Sequence, residues 1–349
     1  MTIVIVGGGA IGLLVAGRLA QSGQCVAVLG RPGAVEALQA GVLQIIQKGQ
    51  VANVTGIVAA SAPEQLPPDY QHPDLSILCV KGYDTTAALP TLAALQSPFI
   101  LTLQNGIGNE ETLVAAFGPS RVLSGVITSS VEPEAPGRIV VTKAGGIGLA
   151  PLDNNSHVTS WAMTLRHAGF AVHECANHRS LKWSKALLNM LGNATVAILD
   201  MPIDAIYADP RLLQLERQAF LEALAVMQRI GATPINLPRY PAALLAMVMR
   251  WMPPALLFPL LRKLIAGGRG GKAPSLHVDL CQGRSRSEGA YLYGAIAAKA
   301  HELGMGAPIN ATLWRILEDI VTGQRPWADF RRHPERLLAE MEQMACQSA

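Results

Sequence analysis

Lys185, Asn189 and Asn193 recur at four-residue spacing within Leu181–Leu199, a stretch whose other positions are mostly apolar. Read as one helix, this spacing places the three on a single face, each about 40° from the last, as a polar stripe on an apolar cylinder. An ammonium in such a stripe has a definite chemistry open to it. As a carbonyl carbon accepts hydride, negative charge develops on its oxygen, and a nearby lysine both stabilises that charge and supplies the proton. The same pattern also fits a partly exposed helix edge whose asparagines bond to neighbouring backbone.

A second group of residues points to the hydride source. Gly7, Gly9 and Gly12 have G-x-G-x-x-G spacing between the apolar run Ile3–Val6 and a helical stretch that begins near Ala10. In that context Gly7 permits the turn, Gly9 lets backbone approach a pyrophosphate, and Gly12 lets the helix pack close to the strand. The N–H groups of Ala10, Ile11 and Gly12 open the helix toward the phosphates. Where an NAD site carries an acidic residue, about 20 positions on, this chain has Leu29-Gly30-Arg31 and no carboxylate before Glu36. Arg31 therefore favours the 2′-phosphate of NADP(H), although a solvated loop arginine has the same sequence. Lys81 and Asn105 follow two further apolar runs, where open α/β sheets bind ligands; an ordinary turn accounts for each of them equally well.

These groups must be held by elements that the hydrophobic pattern supplies. Continuous apolar runs at Ile3–Val6, Cys25–Leu29, Leu75–Val80, Phe99–Leu103 and Val122–Ser129 alternate with helical periods, as in a parallel sheet covered by helices. Ile139–Val141 followed by Gly145–Ile147 reads as a hairpin, and Ala171–Cys175 as a last strand after a helix near Ser160–His167. Beyond residue 177 the pattern turns helical, at Ser180–Leu199, Pro210–Ile230, Pro241–Met249, Ser287–Leu303 and Asn310–Thr322. The expectation is an α/β doubly wound Rossmann-type domain over residues 1–177 and an all-α domain over 178–349. Pro241–Gly271, apolar and interrupted by proline, fits no simple element; core or homodimer burial suits it better than a membrane surface.

Composition narrows the partners. Half of the 349 residues are hydrophobic and 15% are charged, with a net charge of +3, and the mean hydropathy is +0.28. No run is long enough to span a bilayer and no basic block suggests nucleic acid, while a mild positive charge suits an anionic small molecule. Cys25, Cys79, Cys175, Cys281 and Cys346 are scattered without Cys-x-x-Cys spacing, so neither a disulfide framework nor a metal site is expected. Met1 leads straight into the first apolar run, so a cytoplasmic location is expected.

The order of motifs resembles the ketopantoate (2-dehydropantoate) reductase family. Gly7–Gly12, Arg31, Val80-Lys81-Gly82-Tyr83, Leu103-Gln104-Asn105-Gly106, Trp183-Ser184-Lys185 with Asn189 and Asn193, Ser275 with Asp279, and Ser287-Glu288 follow in the family's sequence. The resemblance implies an NADPH-dependent reduction of 2-dehydropantoate to pantoate, for pantothenate and coenzyme A synthesis. It implies Lys185 as general acid, Glu288 as ligand of the substrate hydroxyl, Asn105, Asn189, Asn193 and Ser275 in the substrate pocket, and Lys81 beside the nicotinamide. It also implies a helical domain like the C-terminal domains of 6-phosphogluconate dehydrogenase relatives. Asp279 to Glu288 is one residue longer than the family spacing, and Pro241–Gly271 is longer and more apolar. Both departures leave room for another branched 2-keto or 3-hydroxy acid as substrate; an NADP(H)-binding sensor without turnover is the alternative from a different class.

Overall fold

The computed structural model describes residues 1–41, 43–153, 157–268 and 273–347. It divides into two compact units, Met1–Lys182 with Leu237–Tyr240, and Trp183–Asn236 with Pro241–Ala349.

In chain order the first unit contains β1 (Thr2–Val6), α1 (Ala10–Gln21), β2 (Cys25–Leu29), α2 (Pro32–Gln39), β3 (Leu43–Gln47), β4 (Gln50–Val54), β5 (Val58–Ala60), α3 (Pro68–Gln71), β6 (Leu75–Leu78), α4 (Thr85–Leu95), β7 (Phe99–Thr102) and α5 (Asn109–Phe117). There follow β8 (Val122–Ile127), β9 (Ser130–Ala135), β10 (Arg138–Lys143), β11 (Gly146–Pro151), α6 (His157–His167) and β12 (Ala171–Glu174). The main sheet has the order β12-β11-β8-β7-β6-β1-β2-β5. All its pairings are parallel except that of β8 with β11. Strand alternation divides the core: Ile3 and Ile5 face Leu14, Val15 and Leu19 of α1, while Val4 and Val6 face the side of Leu92, Leu95 and Leu113. This two-sided burial is why the strands read as unbroken apolar runs.

Strand order reverses at β1, which pairs with β2 on one side and β6 on the other. The loops after β1 and β6 therefore diverge, leaving the crevice where open α/β sheets take ligands.

A second sheet, β4-β3-β10-β9, lies on α1. A Cβ at Gly17 of α1 would sit 2.6 Å from Ile45 Cδ1 and 2.9 Å from Leu43 Cδ2 of β3, so glycine sets this close approach. Here one expectation is corrected. Ile139–Val141 belongs to β10, which pairs with β9 (Ile139 opposite Pro133), whereas β11 pairs with β8 in the main sheet (Ile147 opposite Ile127). The reversal comes earlier, at Pro136-Gly137, where Gly137 has φ +70°.

Helix α7 (His178–Met190) enters the second unit, which continues through α8 (Asn193–Leu199), α9 (Ile203–Ala208), α10 (Pro210–Arg229), α11 (Ala242–Trp251), α12 (Pro254–Gly268), α13 (Ser275–Cys281), α14 (Tyr293–Glu302), α15 (Pro308–Val321) and α16 (Pro334–Gln347). Its core follows α10, which buries Leu212, Leu213, Ala219, Phe220, Ala223 and Met227, and α15, which buries Leu313, Ile316 and Leu317.

The single helix expected over Ser180–Leu199 is broken at Leu191-Gly192. Gly192 has φ +64°, and a Cβ there would meet Ile203 Cδ1 at 2.8 Å, so the break requires glycine. The apolar segment resolves into α11 and α12, with residues 269–271 outside the described residues. Among the described residues no helix is long and apolar enough to cross a membrane.

Candidate active site

The three loop glycines are required for different reasons. Gly7 has φ +117°, and a Cβ there would lie 2.8 Å from Cys79 C and Val80 N; a Cβ at Gly12 would lie 2.0 Å from Gly7 O. Those two let strand, turn and helix touch. A Cβ at Gly9 would have no heavy atom within 4 Å, so protein packing does not explain this glycine. The space suits a ligand that approaches the backbone. Gly9 also caps α1 without a side-chain bond, and the first turn carries no acid. The N–H groups of Ala10, Ile11 and Gly12 thus face outward with the positive end of the helix dipole, a set of donors that fits a dinucleotide pyrophosphate.

Arg31 is the N-cap residue of α2. Its side chain is 86% exposed and lies 3.4 Å from Asp84 Oδ2. The sequence reading found no acid near Arg31 because this one arrives from the turn after β6, 53 residues on. So exposed a pair is worth about 0–1 kcal/mol.

Lys81 and Asn105 follow β6 and β7, and a buried network joins their loops. Gln104 Nε2 donates to Val80 O (3.1 Å), Lys81 O (3.4 Å) and Thr85 Oγ1 (2.8 Å). Asn109 Nδ2 donates to Asn105 O at 3.0 Å, and Gly106 and Gly108, with φ +91° and +102°, allow the chain to fold back. The network ends on an ion pair. Lys182 Nζ donates to Gln104 O at 2.8 Å and lies 2.8 Å from Glu110 Oε1, the two side chains being only 4% and 3% exposed. Ser124 Oγ adds a bond to the same carboxylate oxygen at 2.9 Å. Gln104, Glu110 and Lys182 thus hold the loops of two residues that the sequence singled out, and the sequence marked neither charge.

In the second unit Lys185 and Asn189 lie one turn apart on α7, both half-buried. Asn193 does not extend their stripe as a third step of the same helix, because the break intervenes and it opens α8. Its amide nevertheless joins the group. Asn193 Nδ2 donates to Asn189 O at 3.0 Å and approaches Ser275 Oγ at 3.5 Å. Its Oδ1 accepts from Leu276 N at 3.2 Å, securing the first turn of α13.

Two buried groups that the sequence did not single out build the bend. Glu216 accepts from Gly192 N and from Thr195 Oγ1, both at 2.7 Å. Tyr293 Oη donates to Met190 O (2.5 Å) and accepts from Ala194 N (3.1 Å).

Glu288 opens a short 3-10 turn, Glu288–Tyr291, behind Ser287, whose Oγ accepts from Gly289 N at 3.0 Å. Asp279 is buried and lies 3.2 Å from Arg284 Nε. The structure therefore joins Asn189, Asn193 and Ser275 through the Asn193 amide, while Glu288 is carried by the 3-10 turn behind Ser287.

Known proteins place this architecture. Residues 3–154 match the family described as ketopantoate reductase PanE/ApbA, and residues 177–321 match its C-terminal counterpart, ketopantoate reductase PanE/ApbA C terminal. The 2-dehydropantoate 2-reductase of Pyrococcus abyssi is 28% identical over 91% of this chain and 97% of its own length. The crystal structure of a PanE/ApbA family ketopantoate reductase from Ralstonia eutropha superimposes with a TM-score of 0.78 at 28% identity, covering 93% of this chain and 99% of that one. A ternary structure of D-mandelate dehydrogenase with NADH and anilino(oxo)acetate shares the fold, with a TM-score of 0.75 at 21% identity over 92% and 99% of the two chains. A doubly wound dinucleotide-type unit and a helical unit, matched in order over residues 3–154 and 177–321, make this chain an oxidoreductase belonging to the ketopantoate reductase family.

Proposed function

We propose that the chain reduces 2-dehydropantoate to pantoate with NADPH, in the cytoplasmic synthesis of pantothenate and coenzyme A. NADPH would supply the hydride. The Gly7–Gly12 loop holds its pyrophosphate, Arg31 its 2′-phosphate, and Lys81 and Asn105 the region of its nicotinamide. Lys185 stabilises the charge that develops on the carbonyl oxygen and donates a proton to that oxygen. Asn189, Asn193 and Ser275 hold the keto acid's polar groups, and Glu288 accepts a hydrogen bond from the substrate's hydroxyl. The observation that carries this reading is Gly9, a glycine whose missing side chain borders open space at an uncapped helix N-terminus. It stands in a chain that matches both halves of the family in order.

A second substrate has one observation in its favour. We read the stretch from Asp279 to Glu288 as one residue longer than the family spacing, and within it Asp279 pairs with Arg284 at 3.2 Å, so the hydroxyl-binding carboxylate that follows is the group most open to displacement. A panel of 2-keto acids with NADPH, followed at 340 nm, separates the readings. Preference for ketopantoate is expected. Strong preference for a keto acid without the 4-hydroxyl favours the second substrate, and tight NADPH binding with no oxidation across the panel favours a sensor.

A further inference from the structure

We propose that Asp200, His277 and Cys281 form a zinc-binding site. No metal motif is visible in the sequence, because one ligand comes from far along the chain. His277 and Cys281, four apart on α13, project from the same face of that helix, and folding brings Asp200, the left-handed residue that ends α8 (φ +48°), against them. The three candidate ligand atoms all lie within 4.8 Å of one another.

The donor set and spacing suit zinc. Thiolate, imidazole and carboxylate are its usual ligands, at about 2.3 Å for sulfur and about 2.0–2.2 Å for nitrogen and oxygen. Tetrahedral angles then require about 3.6 Å between nitrogen and sulfur and about 3.3 Å between nitrogen and oxygen. Cys281 Sγ lies 3.6 Å from His277 Nε2, which already meets the first distance. His277 Nε2 lies 2.7 Å from Asp200 Oδ1, so the imidazole and carboxylate must separate by about 0.6 Å to admit the ion, replacing their mutual hydrogen bond.

The surroundings are arranged as supports for such ligands. Arg331 holds the other carboxylate oxygen, with Nη2 at 2.6 Å and Nε at 3.0 Å from Asp200 Oδ2, and so orients Oδ1 toward His277. Trp327 packs edge-on to the His277 ring at 6.3 Å and is itself fixed by its Nε1, which donates to Ala197 O and Ile198 O at 3.0 Å. Asp200 and His277 are each 19% exposed while Cys281 is exposed, which gives the ion a path in. It also leaves a fourth position for water. Binding deprotonates Cys281, the thiol proton passes to buffer and the sulfur lone pair enters the metal bond, while His277 ligates as the neutral ring.

The test uses the full chain, dialysed against chelator and titrated with Co²⁺, then with Zn²⁺ by calorimetry in two buffers of different ionisation enthalpy. The expected result is one metal per chain, a near-ultraviolet thiolate–Co²⁺ band that Zn²⁺ abolishes, and about one proton released. Cys281→Ser should remove the band, and His277→Ala and Arg331→Met should each weaken binding about tenfold or more. Cys25→Ser, at another exposed cysteine, should change nothing. Should Cys281→Ser not fold, the wild-type chain still answers, because Zn²⁺ should slow iodoacetamide labelling of Cys281 read by peptide mass spectrometry. A band that survives Cys281→Ser, a band lost in Cys25→Ser, or Cys281 labelling indifferent to Zn²⁺ would overturn the site.

Discussion

Replacing Glu110 by Gln keeps the size and hydrogen-bonding capacity of the side chain and removes only its charge. The consequence follows from burial. Glu110 and Lys182 are 3% and 4% exposed and 2.8 Å apart, so solvent screening does not soften the loss. The Lys182 ammonium would keep Gln104 O and neutral neighbours, but no counter-charge. Breaking a buried pair from one side costs about 3–5 kcal/mol. For a unit of this size each kcal/mol lowers the melting temperature by about 2–4 °C, so the first unit's transition should fall by about 6–20 °C. Calorimetry of the full chain measures this, and Glu110→Gln/Lys182→Met, which removes both charges, should recover about half of the loss or more. A shift below about 2 °C in the single variant, or a double variant no more stable than the single, would refute the claim that this pair anchors the loop of Asn105.

Other substitutions probe the site from different sides. Gly9→Ala should leave stability within about 0.5 kcal/mol of wild type, since its Cβ meets nothing, yet weaken NADPH binding in a fluorescence titration by about tenfold or more; unchanged affinity would place the pyrophosphate elsewhere. Arg31→Ala should raise the KM for NADPH about 10–100-fold, the worth of a lost charge-assisted phosphate contact, and barely alter that for NADH; equal effects would remove Arg31 from 2′-phosphate recognition. Burial pushes the Cys79 thiol up to about 12, so the folded state holds this proton more tightly than the unfolded one. Its stabilisation is complete below the ordinary thiol value near 9 and is lost as pH rises through about 12, about 2 kcal/mol of it by pH 10.5. Urea stability of Cys79→Ala should therefore decline less than that of wild type between pH 8 and 10.5, and parallel declines would contradict this.

What was legible in the sequence was local. The central strands of the main sheet, β1, β2, β6, β7 and β8, show because both faces of each are buried, and the glycine loop shows because it occupies consecutive residues between a strand and a helix. The β3–β4 hairpin escaped notice, since its turn is Lys48-Gly49, with Lys48 at φ +51° where asparagine or aspartate is the usual signal. Gly192 carries no break signal in the sequence, because a lone glycine within a helical pattern is commonly tolerated; the reason it breaks the helix is Ile203, from the next element. Buried charges were least legible of all. Glu110, Lys182 and Glu216 read as solvated residues, and their burial depends on partners 72 residues away in the case of Glu110 and Lys182, and 24 and 21 for Glu216 with Gly192 and Thr195. Asp84 beside Arg31, though not buried, is hidden in the same way, as a carboxylate delivered by the turn after a different strand.

The proposed chemistry is tested most directly by NADPH oxidation at 340 nm with saturating ketopantoate, comparing the wild-type chain with Lys185→Ala. Wild type should turn over and the variant should fall by about 100-fold or more in kcat with NADPH affinity retained, the loss expected for a general acid. A Lys185→Ala chain that reduces ketopantoate at near the wild-type rate would contradict the account.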